Sequence, residues 1–150
     1  MQLQDVRLSG NVFSASSVSL LLRAVCTATS VVHTLVCNRT NLKTAYEYPE
    51  SLLPDIRQAR QMQFLQMDDC GLGCKSGLGL ISMLMQLPCV RTLSFQRNNI
   101  DDSLGSKSLY WLNSLSKALF LENLLLSHNR LHDEAVLYMI NVGCRFLRVF

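Results

Sequence analysis

The sequence predicts an α/β solenoid of five to six repeats, with a curved parallel sheet on the concave side and helices on the convex side. Two observations predict it. An eleven-place pattern, LxxLxLxxNxL, returns along the chain with a period near 29 residues. Between its copies, apolar residues change from the two-residue period of a strand to the three- and four-residue spacing of a helix. Residues 1–150 therefore read as one domain.

The copies are LQDVRLSGNVF from Leu3, VHTLVCNRTNL from Val32, Met62 with QFLQMDDCGL, VRTLSFQRNNI from Val90 and LENLLLSHNRL from Leu121. A partial sixth, CRFLRVF, starts at Cys144; successive starts lie 29, 30, 28, 31 and 23 residues apart. The fourth and sixth places anchor a short strand to the core: Val6 and Leu8, Leu35 and Cys37, Leu65 and Met67, Leu93 and Phe95, Leu124 and Leu126, Leu147 and Val149. Leu93 and Leu124 should be fully buried. The ninth place holds Asn11, Thr40, Cys70, Asn98 and Asn129, where a small polar group can bond the backbone as the chain turns away. Val12-Phe13, Leu42, Leu72, Ile100 and Leu131 then re-enter the core.

The helical spacings follow. Val18, Leu21, Leu22 and Val25 come after the possible caps Ser14, Ser16 and Ser17. Leu52, Leu53 and Ile56 follow Tyr48-Pro49-Glu50, and Pro54 requires that helix to start late or break. Leu80, Leu84 and Leu87 follow a turn region at Gly71–Gly79. Leu109, Leu112, Leu115 and Leu119 serve the fourth unit, and Ala135, Val136 and Met139 the fifth.

A unit of this length with a full helix, and the stretch LENLLLSHNRLHDEA above all, resembles the ribonuclease-inhibitor-like leucine-rich repeat proteins over Leu3 to Phe150. Thr40 and Cys70 depart from the asparagine of that pattern, and the second unit, with Tyr46, Tyr48, Pro49 and Pro54, departs most. The resemblance implies an intracellular, cytoplasmic protein that works as a ligand-binding horseshoe, a regulator, or a fixed part of a cytoskeletal or ciliary assembly.

Composition narrows the function. Hydrophobic residues form 49% of the chain and charged ones 17%, below the ~25% usual for soluble domains, which suggests that part of the surface is covered. The net charge of +3 and a pI of 8.6 argue against nucleic acid as the main partner. The longest uncharged stretches, from Ala24 to Asn38 and from Ser76 to Val90, are 15 residues each, where a membrane span needs ~20 apolar ones. Asp5 and Arg7 stand where a signal peptide would be apolar. Six scattered cysteines without a CxxC pair read as reduced thiols.

Motifs that suggest chemistry fail on spacing. Gly71-Leu72-Gly73-Cys74-Lys75-Ser76-Gly77 reads GxGxxxG rather than GxGxxG, and Cys74 stands where a P-loop needs glycine before its lysine. It reads as a tight strand-to-helix turn. His128 and His132 flank a turn and should point apart. Asp68-Asp69 and Asp101-Asp102 are adjacent pairs suited to capping or solvation, and Asn38-Arg39-Thr40 reads as a chance sequon. No catalytic, cofactor-binding or metal-binding residue is expected, and no small-molecule substrate.

The third, fifth and seventh places face the concave surface. Val36, Phe64, Leu125 and Phe146 are apolar there; Gln66, Gln96, Asn123 and Arg148 are polar, and Arg91 stands on the rim. These residues are the candidate protein-binding set, led by Phe64, Phe146 and Arg148 because interface hot spots favour aromatic and arginine side chains. The alternative, that the apolar ones lie against each other across the sheet at ~0.2–1 kcal/mol per pair, stays open. His33, Arg39, Arg91, Arg97, His128 and Arg145 form a weak basic rim. The expected function is a non-enzymatic protein-interaction module within a larger assembly. The alternatives are a regulator of a small GTPase or similar switch enzyme, and a subunit bound to nucleic acid through the rim. Strand signals at Leu3 and at Leu147–Phe150, without polar capping units, suggest a segment of a longer array or ends covered by partners.

Overall fold

The computed structural model of the chain describes residues 3–27, 29–42, 58–101, 114, 117–143 and 148–149. In order along these residues come β1 (Asp5–Arg7), α1 (Ala15–Val25), β2 (Thr34–Val36), β3 (Phe64–Gln66), α2 (Gly73–Leu84), β4 (Thr92–Ser94), β5 (Asn123–Leu125), α3 (Asp133–Gly143) and β6 (Arg148–Val149). The helix expected around Leu52–Ile56 lies outside the described residues, as do Leu109, Leu112 and Leu115 of the helix expected in the fourth unit.

The strands form one parallel sheet in chain order, β1 to β6, an order compatible with a solenoid-like layout. Val6, Leu35, Leu65, Leu93 and Leu124 lie opposite one another in successive strands. The same template place therefore faces itself in each neighbour. In β6 the residue opposite Leu124 is Val149, where the spacing predicts Leu147. The sixth pattern thus starts at 146 rather than 144. A two-residue slip leaves every side chain on its own face, so alternation alone cannot decide between the two phases.

Leu35, Leu65, Leu93 and Leu124 are 0% exposed, as the fourth place requires. They share one apolar cluster with Leu22 and Val25 of α1, Leu80, Ile81 and Leu84 of α2, and Ala135 and Met139 of α3. The described helices therefore cover one face of the sheet and none of them packs on the other, the open face, where Val36 and Ser94 are nevertheless buried and Phe64, Gln66, Asn123 and Leu125 half-buried. At the edge strand β1, Val6 and Leu8 are only half-buried.

After each of the first five strands the chain turns through a left-handed residue at the eighth place: Gly10, Arg39, Asp69, Arg97 and His128, with φ between 53° and 75°. The ninth place then secures the turn. Asn98 donates its amide to Met67 O at 2.7 Å and Gln96 O at 3.2 Å, and accepts from Cys70 N at 2.8 Å. Asn129 donates to Phe95 O and Leu126 O, and accepts from Asn98 N and Ile100 N. Cys70 substitutes through its thiol, which donates to Cys37 O at 3.0 Å.

Ser14 caps α1 by accepting from Ser17 N. Helix α2 begins at Gly73, six residues earlier than the end of the expected turn region, so Gly77 and Gly79 are helical. Gly77 is there for closeness: a Cβ on it would lie 2.7 Å from Ile100 Cγ1. In α3 the core-facing pair is Ala135 and Met139, whereas Val136, Leu137 and Ile140 are exposed. Leu119, expected on a helix, lies in a turn and is exposed.

Candidate binding face

The parallel register arranges the open face in rows. Thr34, Phe64, Thr92 and Asn123 form one row across β2 to β5, and Arg7, Val36, Gln66, Ser94 and Leu125 a second across β1 to β5. Opposite Asn123 in the first row stands Arg148.

The row of seventh places carries a second hydrogen-bond ladder. Ser9 Oγ accepts from Asn38 N at 3.0 Å, Asn38 Oδ1 from Asp68 N at 2.9 Å, and Asp68 Oδ1 from Gln96 N at 2.7 Å. Each side chain fixes the backbone of the next unit just beyond its strand. Sequence reasoning missed this because Ser, Asn and Asp share only the ability to accept. Asp68 is therefore neither a helix cap nor simply solvated. The Asn38-Arg39-Thr40 sequon is likewise built in, with Asn38 in the ladder and Thr40 fully buried.

The expected contact residues divide. Phe64 and Leu125 are half-buried on the open face, as are Gln66, Gln96 and Asn123. Val36 is a correction: it is only 5% exposed, lying between Arg7 and Gln66 in register, so it is not available to a partner. Arg91 precedes β4 and forms an exposed ion pair with Glu122, which offsets its charge and weakens the basic rim. Arg148 lies in β6, and Phe146 is outside the described residues.

The other motifs fall into structural roles. Gly71 and Gly73 have φ of +66° and +67° and, with Arg39 and Asp69, line a hollow beyond the strand ends. His128 occupies the left-handed place after β5, while His132 precedes α3 and accepts from Ala135 N and Val136 N through its carbonyl. Among the described residues no three His, Cys, Asp or Glu side chains gather as metal ligands, and no helix is long and apolar enough to cross a membrane. Cys26, Cys37, Cys70 and Cys89 are free thiols. Burial pushes Cys26 and Cys37 up to about 12 and Cys70 up to about 11, the last held back by the N–H groups of Thr40 and Arg39. Such thiols are poor nucleophiles at neutral pH.

No family model, curated protein or solved structure matches the chain.

Proposed function

We propose that the chain is a leucine-rich repeat unit of the ribonuclease-inhibitor-like kind, curved with its sheet on the concave side, and that this face binds another protein within a larger assembly. The carrying observation is the asymmetry of the sheet. Its fourth-place face is sealed by helices, while its open face presents Phe64 and Leu125, both half-buried, among polar side chains. Six strands at ~4.8 Å spacing span about 24–29 Å, enough for roughly 800 Å² per partner. The role is scaffolding rather than catalysis. The buried free thiols suit a reducing, intracellular compartment. The pairing of Arg91 with Glu122 leaves little support for a nucleic-acid rim.

Affinity capture from a eukaryotic lysate, followed by mass spectrometry, tests this with Phe64→Arg and Leu125→Arg beside the parent chain. The reading expects partners that the parent captures and both variants lose, with circular dichroism unchanged. Capture that survives both substitutions would place binding elsewhere.

A further inference from the structure

The seventh-place ladder needs an acceptor and does not need a charge. Ser9 and Asn38 each receive the next unit's backbone N–H without one. At the equivalent position in the third unit the chain has a carboxylate. Asp68 Oδ1 accepts from Gln96 N at 2.7 Å and Ser94 Oγ at 2.6 Å, and Oδ2 accepts from Gln66 Nε2 at 2.5 Å. All three donors are neutral. Two carboxylate oxygens offer about four lone-pair sites, so one remains. Asp68 is half-buried, and no cation of the described residues pairs with it; Arg7 pairs with Asp5 and Arg91 with Glu122.

Its surroundings favour donors from outside. Across β2 to β5 and the seventh places beyond them, Asp68 is the one charged side chain on the open face. The nearby amides give their NH2 groups to neighbours on the same face, Gln66 to Asp68, Gln96 to Ser94 Oγ at 3.3 Å and Asn123 to Thr92 Oγ1 at 3.2 Å. Their carbonyl oxygens are left as acceptors. A half-desolvated carboxylate among unpaired acceptors is complementary to a guanidinium or ammonium group, which brings donors and the opposite charge together.

Building on the reading of this face as the binding face, we infer that it takes an extended protein segment with an arginine or lysine at Asp68 and an apolar side chain at Phe64. The two positions are four residues apart on one face, ~13 Å along the strand direction, so a partner segment running along the strands presents its basic and apolar residues four apart.

A random peptide library displayed on phage and selected on the immobilised full chain tests the inference. Selected peptides are then measured on the parent, Asp68→Asn and Phe64→Ala. Asp68→Asn keeps an Oδ1 acceptor for Gln96 N and Ser94 Oγ and removes the charge, and Gln66 can turn its amide over to accept from the new NH2, so the melting temperature should stay close to the parent's. The expected result is enrichment of an apolar residue four places from Arg or Lys, with affinity falling about tenfold or more in both variants and with rising salt. Acidic peptides, or basic ones indifferent to Asp68→Asn, would overturn the inference. Uncharged peptides that depend on Phe64 would overturn it and leave the binding face standing, whereas peptides indifferent to both variants would count against both. Recovery of no binder at all would overturn the inference alone, because partner capture tests the face independently.

Discussion

Asn98 Oδ1 lies 2.8 Å from the backbone nitrogen of Cys70, so the asparagine of one unit satisfies the turn of the unit before it. The same side chain donates to Met67 O and Gln96 O, and none of it reaches solvent. Asn98→Ala leaves these buried groups without partners and is expected to cost about 2–4 kcal/mol. Asn11 holds the equivalent place but is exposed and donates only to Leu8 O, so Asn11→Ala should cost under about 1 kcal/mol. Urea unfolding of the two variants checks the difference; equal shifts would show that the ladder is not a shared stabilising element.

Gly77 supports a second prediction because its two effects oppose each other. In an ordinary helix interior, glycine to alanine gains about 1 kcal/mol. Here the added methyl meets Ile100 Cγ1 at 2.7 Å, and Gly77→Ala is expected to destabilise by about 1–3 kcal/mol. In the Ile100→Ala background the same change should become neutral or favourable. A double-mutant cycle with no coupling would show that α2 does not approach Ile100 this closely.

The left-handed turns give a prediction of opposite sign. Arg39 and Arg97 have φ of 53° and 57°, a conformation that costs an ordinary L-residue ~1–2 kcal/mol and glycine almost nothing. Arg39→Gly and Arg97→Gly should each stabilise by about 0.5–1 kcal/mol, after glycine's greater loss of chain entropy. Arg23→Gly, inside α1, should destabilise by about 1 kcal/mol. Melting curves of the three variants decide it, and a loss of stability at Arg39 and Arg97 would contradict the turn geometry.

The core was legible because it rests on identity at fixed spacing: Leu35, Leu65, Leu93 and Leu124 recur in phase and all are sealed. The start of α2 was not, since glycine signals a turn and a close helix contact equally, and only the position of Ile100 separates them. The phase of β6 was not either, because Leu147 and Val149 are both apolar and two residues apart. On the open face, Phe64 and Leu125 were found by parity, but Val36 shares that parity and is only 5% exposed, a difference that alternation along the strand cannot show. Asp68 was hidden because its role belongs to a hydrogen-bonding capacity rather than to a residue type.

The thiols predict a dependence on alkaline pH. Burial raises Cys26, Cys37 and Cys70 above the ordinary thiol value near 9 to about 12, 12 and 11. The folded chain therefore holds these protons more tightly than the unfolded one. Their contribution is complete below about pH 9 and is lost as pH rises toward 11–12. Unfolding free energy measured by urea should fall over that range, and Cys26→Ala should fall less steeply than the parent. Parallel slopes would show that Cys26 titrates alike in both states.

As the proposed working surface, the open sheet face competes with the exposed apolar patch of Val136, Leu137 and Ile140 on α3. Hydrogen–deuterium exchange on the chain, alone and with its captured partner, separates the two most directly. Binding on the open face should give new protection in peptides covering 64–68, 92–97 and 123–127, with little change over 133–143. Protection confined to 133–143, with the strand peptides exchanging as in the free chain, would contradict it.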